Sequence, residues 1–356
     1  MSVGQELTIK NILTDAVKRG ASDLHFSVGN NPILRIDDHL VYLEDQEVVT
    51  QDFMQGLVDF LLTKEKKEKL LVNKEIVLAY NFDNNLRFKV NIFYQRGFLS
   101  VSLRHIPYQV PTLESLKLNS ILSNLVKNKN GLILVSGPFG SGRSTTIAAL
   151  IEEINRSRKE YIITIEDPIE YIFTNNKSII EQREVGIDTN SFAEALKYFE
   201  EEDGDILFLE EINKSEVIPA VLEIARGSSL VFSAISADSS TNAIARILDM
   251  FPAYDQERIR DLLATALRAV ICQKIIPKIG GGVAVVQEVL VMNEAVKSMI
   301  INGNIAGLNN LIQTSRNEGM VSFNYGLAKL VKSSKITRED ALDNTTDRKI
   351  LESLLR

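Results

Sequence analysis

The sequence predicts an α/β protein built in two unlike parts: an N-terminal α+β domain, then a domain of alternating strands and helices that ends in a helical tail. Three observations lead there. Within the first hundred residues the apolar pattern runs helix, strands, helix, strands. From about residue 117 it alternates strand and helix, which implies a largely parallel sheet with helices on both faces. A glycine-rich loop joins one of those strands to the helix that follows. A chain of 356 residues is long enough to bury a core in each part.

In chain order, Ile9, Ile12, Leu13, Ala16 and Val17 recur at helical spacing over 5–19, and Gly20 stops the helix. LHFSV and ILRID read as short strands, and 50–72 as a helical region. RFKVNIFY and FLSVSLRHI are two further strands, separated by Gln95, Arg96 and Gly97, which predicts a hairpin. Pro107 and Pro111 bracket an extended linker. Beyond it, GLILVS, YIITIED, DILFLEE and SLVFSAI are buried-strand runs. Helical runs lie between them at 144–156, SFAEALKYFEEE and EVIPAVLEIA. Gly280, Gly281 and Gly282 mark a hairpin turn, and from Asn293 the pattern is mostly helical. The expected division is 1–107, a linker at 108–116, 117–292, and a helical subdomain at 293–356.

Apolar residues make up 45% and charged residues 24%, the balance of a soluble globular protein. A net charge of −7 leaves no basic excess to neutralise phosphates, which argues against a nucleic-acid binder. The single cysteine, Cys272, excludes an intramolecular disulfide, suits a reducing compartment, and lies in an apolar run that predicts a buried structural thiol. No run reaches the roughly 20 apolar residues of a membrane span, and the acidic, helix-patterned N-terminus is not a signal peptide. The expected location is the cytoplasm.

The loop that follows GLILVS reads GPFGSGRSTT and has the spacing G-x-x-x-x-G-K-[ST], except that Arg143 stands in the lysine position. A glycine loop between strand and helix lets successive backbone N–H groups point at phosphate oxygens, and the helix N-terminus adds its positive dipole end. Gly137, Pro138, Phe139, Gly140, Ser141, Gly142, Arg143, Ser144 and Thr145 therefore form the candidate cradle for ATP or ADP, with Ser144 placed for Mg²⁺. Arg143 keeps the charge of lysine but not its shape: a planar guanidinium does not fit the slot of an ammonium. Phe139 adds bulk inside the loop.

With that loop, ASDLHF (21–26), TIEDPIEY (164–171), EQREVG (181–186), IQTSRNEGM (312–320) and the tail LAKLVKSSKITREDAL (327–342) resemble the type IV pilus retraction ATPases, the PilT family of the secretion ATPase superfamily. The resemblance covers nearly the whole chain. It implies an N-terminal PAS-like domain, a RecA-like P-loop ATPase domain and a hexameric ring, formed with itself or with a PilT-like paralogue. It also implies that the ring docks on an inner-membrane pilus platform protein, at the inner face of that membrane. By the family's motifs, Glu166 orients the attacking water, with Asp167 and Glu170 completing its acidic block. Glu211 is the Walker B glutamate near Mg²⁺, and Arg87 and Arg104 fall among the arginine fingers, with Arg96 a third whose alignment depends on QRG. Without the resemblance these arginines read as surface cations, and the glutamates as charged strand ends.

The sequence departs from the family at positions tied to chemistry. GEMRD is here Glu210-Glu211-Ile212-Asn213-Lys214, and both histidines of GHLVFGTLHT are serine, Ser229 and Ser236. The arginine before the Walker B strand is Glu201, the second arginine of RFRVN is Lys89, and AIRNLIRE is AVKSMIIN at 295–302. One lost transition-state donor costs roughly 10²–10³ in rate. Taken as losses around a single nucleotide, the substitutions predict a subunit of the pilus retraction machinery that binds nucleotide, hydrolyses it weakly or not at all, and acts as an accessory or regulatory partner. The alternatives are a slow or partner-dependent retraction motor, and a nucleotide switch in another secretion-type assembly.

Overall fold

The computed structural model describes residues 3–37, 39–83 and 86–356. The chain divides into two compact units, Met1–Gln109 with Pro168–Ile172, and Val110–Asp167 with Phe173–Arg356.

The first unit is an antiparallel sheet with helices. Its strands are β1 (Asp23–Ser27), β2 (Ile33–Ile36), β3 (His39–Tyr42), β4 (Glu75–Asp83), β5 (Leu86–Gln95) and β6 (Phe98–Ile106), in the order β3-β2-β1-β6-β5-β4. Alternation explains its two faces. Leu86, Phe88, Val90 and Ile92 of β5 are buried with Leu24 and Phe26 of β1 and Leu103 of β6. The same core takes Ile9, Ile12, Leu13 and Ala16 from the helix Val3–Lys18, and Met54, Leu57, Val58 and Leu61 from the helix Gln51–Leu61. The intervening residues of β5, including Arg87 and Lys89, point to the opposite face. β5 and β6 join through a two-residue turn in which Arg96 and Gly97 both have positive φ (51° and 83°), the geometry that matches strand twist.

The second unit carries seven strands: β7 (Gly131–Ser136), β8 (Tyr161–Glu166), β9 (Ile179–Glu184), β10 (Ile206–Glu211), β11 (Leu230–Ile235), β12 (Leu267–Pro277) and β13 (Val283–Val291). Their order is β13-β12-β7-β11-β10-β8-β9. Every pair is parallel except β12–β13. β7 and β11 are buried along their whole length, as central strands covered on both faces must be. Leu132 and Leu134 of β7 join a core with the helices Ile218–Arg226, Ser240–Asp249 and Ala253–Ala266. The helix Arg143–Ser157 lies outside that cluster and contacts β7 and β11. Five α-helices follow β13, and Phe323, Leu327, Ala328, Ala341 and Leu351 of that tail form a smaller core with Cys272, Ile276, Ala284 and Val286 of the β12–β13 ribbon.

Several elements differ from expectation. The helical region 50–72 is two helices, Gln51–Leu61 and Lys64–Asn73: Leu62 is extended, and Thr63 caps the second by accepting the Lys66 N–H. β3, β4 and β9 were not expected from periodicity. Each lies at a sheet edge, where a strand need not alternate cleanly. Among the described residues no helix is long and apolar enough to cross a membrane.

Candidate nucleotide site

The glycine loop stands at the C-terminal end of β7 and runs into the 15-residue helix Arg143–Ser157. Gly137, Gly140 and Gly142 all have positive φ (155°, 79° and 83°), a sequence of backbone turns that L-residues resist. At Gly137 the constraint is also steric, because a Cβ would lie 2.3 Å from Ser141 Oγ and 2.5 Å from the Gln273 carbonyl oxygen. The Ser141 hydroxyl is buried and has no hydrogen-bond partner among the described residues. A concave backbone at a helix N-terminus with such a hydroxyl fits a phosphate group. Phe139, expected to crowd the loop, is 83% exposed at its tip.

Arg143 opens the helix, and its Nη1 lies 3.1 Å from Glu211 Oε1 at the end of β10. The pair is half-buried, at 16% and 30% side-chain exposure. The structure therefore joins the residue in the Walker A lysine position directly to the expected Walker B glutamate. Beside it, the Glu210 carboxylate accepts the Asp167 N–H. Glu166 ends β8, is buried, and accepts hydrogen bonds from Thr164 Oγ1 (2.7 Å) and Gln182 Nε2 (3.2 Å). Two strands separate β8 from β7, so the Glu166 backbone stands roughly 14 Å from the loop's strand along the same edge of the sheet. Ser236, directly after β11, is also at this edge. Among the described residues no group of three His, Cys, Asp or Glu side chains is arranged to hold a metal ion. Of the two residues expected beside Mg²⁺, Ser144 is the second residue of the helix and Glu211 is engaged by Arg143.

Two expected losses lie elsewhere. The Ser229 carbonyl accepts the Gly131 N–H at the start of β7, and its hydroxyl donates to the Gly204 carbonyl (2.9 Å). Glu201 sits in the turn before β10. Both are at the N-terminal end of the parallel strands, roughly 20 Å from the glycine loop along six-residue strands. The reading that all the substitutions surround one nucleotide is corrected: within this unit, Arg143, Ser236 and the block 210–214 share the edge that bears the glycine loop, and Ser229 and Glu201 do not.

Arg87 and Arg104 belong to the first unit. Arg104 Nε donates to Asp23 Oδ1 (2.8 Å), its neighbour across the β1–β6 register. Arg87 Nε donates to the Glu170 carbonyl (2.8 Å) and Nη1 to Asn81 Oδ1 (2.6 Å), while Lys89 pairs with the Glu170 carboxylate (2.8 Å). Arg96 occupies the hairpin tip.

Sequence reading missed Gln273. Its buried carboxamide donates to the Ser141 carbonyl (2.7 Å) and accepts from Thr146 Oγ1 (2.9 Å), bracing the middle of the loop and its helix-side end. A glutamine about 130 residues from the loop carries no local signal of that contact.

A family model described as type II/IV secretion system protein matches residues 4–285. The chain is 34% identical over 337 residues to PilT of Pseudomonas aeruginosa, a type IV pilus retraction ATPase, covering 94% of this chain and 97% of that one. It is 31% identical to the type IV pilus ATPase PilU of the same organism, over 97% of this chain and 91% of that one. A crystal structure of the pilus retraction motor PilT with bound ADP superposes with a TM-score of 0.84 at 38% identity, over 96% of this chain and 98% of that one. With its glycine loop at the end of β7 and its likeness to these proteins covering nearly the whole chain, the chain belongs to the PilT family of type IV pilus retraction ATPases, within the type II/IV secretion system proteins.

Proposed function

We propose that this chain is a nucleotide-binding subunit of a type IV pilus machine in which ATP hydrolysis is weak or lost, so that it acts as an accessory or regulatory partner of retraction. The observation that carries this reading is the Arg143–Glu211 pair. A Walker A cation serves by meeting the β and γ phosphates, and a Walker B carboxylate by standing near Mg²⁺. Here the two neutralise each other at 3.1 Å, and the guanidinium is too broad to slip between phosphates as an ammonium does.

In this reading residues 137–145 hold ATP or ADP through backbone N–H groups and the helix N-terminus, with Ser144 and Glu211 on the Mg²⁺ side. Bound Mg-ATP supplies the phosphoryl group that water attacks. Glu166, fixed by Thr164 and Gln182, orients that water, and Arg87 and Arg104 stabilise developing charge once released from their present partners. We assign 1–107 to the PAS-like domain, 108–116 to the linker, 117–292 to the RecA-like domain and 293–356 to the helical subdomain. Assembly as a hexameric ring, with itself or a PilT-like paralogue, on an inner-membrane platform protein at the cytoplasmic face follows from the same reading. Support comes from the relatives' names, a type IV pilus retraction ATPase and a type IV pilus ATPase, and from the ADP in the matching crystal structure.

One observation favours a second reading, a slow or partner-dependent motor. Ser229 and Glu201 lie away from the chain's own loop, so fewer losses fall on one phosphate edge than the sequence suggests. Replacing Arg143→Lys separates the two. If the guanidinium limits turnover, the variant hydrolyses ATP at least ~10-fold faster with little change in ADP affinity. A variant no faster than the unmodified protein contradicts the assignment of the defect to Arg143.

A further inference from the structure

We infer that Gln273 is a positioning residue for the phosphate loop, and that Gln287 and Asn119 extend its hydrogen bonds into a relay from the loop to the segment that opens the second unit. The functional half of this inference rests on the nucleotide reading above; the structural half does not.

The geometry is specific. Gln273 lies on β12, the neighbour of β7, and is 1% exposed. Its Nε2 donates to the Ser141 carbonyl at 2.7 Å, and its Oε1 accepts from Thr146 Oγ1 at 2.9 Å. A carbonyl can only accept, so the contact with Ser141 fixes which way the carboxamide faces. The Gln273 backbone carbonyl also closes the space beside Gly137. One residue thus touches the first glycine, the middle and the helix-side end of the loop.

Gln287, directly opposite in the β12–β13 register, donates its Nε2 to Gln273 Oε1 at 3.4 Å. Its own Oε1 accepts the Asn119 N–H at 3.1 Å. Gln273, Gln287, Ser141 and Thr146 are all at most 6% exposed, so water is a poor substitute for any lost partner. The alternate residues Cys272 and Glu288 face the other side of the ribbon, where Glu288 Oε1 accepts the Ser240 N–H at 2.9 Å. A movement of the loop on binding phosphate must therefore either carry the carboxamide with it or break a buried bond. Gln287 passes that choice on to residue 119.

Only an amide satisfies the site. Glutamate at 273 accepts from Thr146 but cannot donate to the Ser141 carbonyl, and it buries a negative charge beside the phosphate position. Methionine keeps the length and removes both bonds.

The test is hydrogen exchange on the full chain, unmodified and as Gln273→Met, Gln273→Glu and Gln287→Leu, read over 138–146. Local opening governs that exchange, and a net loss worth one buried hydrogen bond corresponds to about tenfold. Exchange at least ~10-fold faster in both Gln273 variants, a smaller increase in Gln287→Leu, and unchanged protection over 131–136 are expected. Loop exchange in Gln273→Met equal to that of the unmodified chain overturns the inference. If the Gln273 variants do not fold, Gln287→Leu decides: no acceleration there overturns the relay. A fluorescent ADP analogue supplies the second measurement, with ~10-fold weaker binding expected for Gln273→Met. Faster loop exchange with unchanged ADP affinity reduces Gln273 to a structural residue and overturns its positioning role. Absence of ADP binding in the unmodified chain overturns the nucleotide reading alone and leaves the exchange result intact.

Discussion

Cys272 and Glu288 are partners across the β12–β13 register, and burial disfavours the charged form of each. Desolvation pushes the Cys272 thiol up to about 12, which fits the inert structural cysteine expected from its apolar run. Desolvation also raises Glu288, against the opposing pull of the Ser240 N–H it accepts. The sign of the linkage follows. Unfolded Glu288 loses its proton near the ordinary carboxylate value, while the folded protein holds it to higher pH. Its contribution to stability is therefore present below the unfolded pKa and lost as pH rises through the folded one. Gln at 288 still accepts from Ser240 and cannot ionise. Glu288→Gln is expected to gain urea midpoint relative to the unmodified protein at pH 8 but not at pH 4. An equal difference at both pH values contradicts this account. Residues of this kind show how far the site was legible. The glycine loop announces itself because its chemistry is contiguous. Gln273, Thr164 and Gln182 are ordinary polar residues that gain a role only when the sheet places strands from distant sequence side by side.

At the scale of elements, strands covered on both faces were readable from apolar runs alone, as β7, β8, β10 and β11 show. β9 was not, because IIEQRE is mostly polar and owes its conformation to parallel pairing with β8. The break at Leu62 and Thr63 was hidden by continuous helical composition on both sides, and only the cap chemistry of threonine marks it. The tail was legible as helical, but its attachment to the β12–β13 ribbon was not. That attachment depends on Gly326 in the helix Phe323–Lys332, where a Cβ would lie 2.7 Å from Val286 Cγ2. Gly326→Val forces helix and ribbon apart and is expected to cost about 1–3 kcal/mol in urea denaturation. An unchanged midpoint contradicts the close packing.

Across the second unit, the departures from the family pattern up to residue 236 are divided between two edges of one sheet. The edge with the glycine loop carries Arg143, Ser236 and the block 210–214, and the opposite edge carries Ser229 and Glu201. A sequence gives positions in order but not which end of a strand they cap, so substitutions that looked like one damaged site prove to be two groups. The scaffold is intact around both: the parallel strands, the glycine loop and its glutamine brace all remain. That combination is what the proposed reading requires: a subunit that holds nucleotide and hydrolyses it poorly. The most direct measurement is ADP affinity together with steady-state ATP turnover of the unmodified chain, assayed beside the Pseudomonas aeruginosa PilT. Saturable ADP binding with turnover at least ~100-fold below PilT is the expected result, the scale of one lost transition-state donor. Turnover equal to that of PilT contradicts the account.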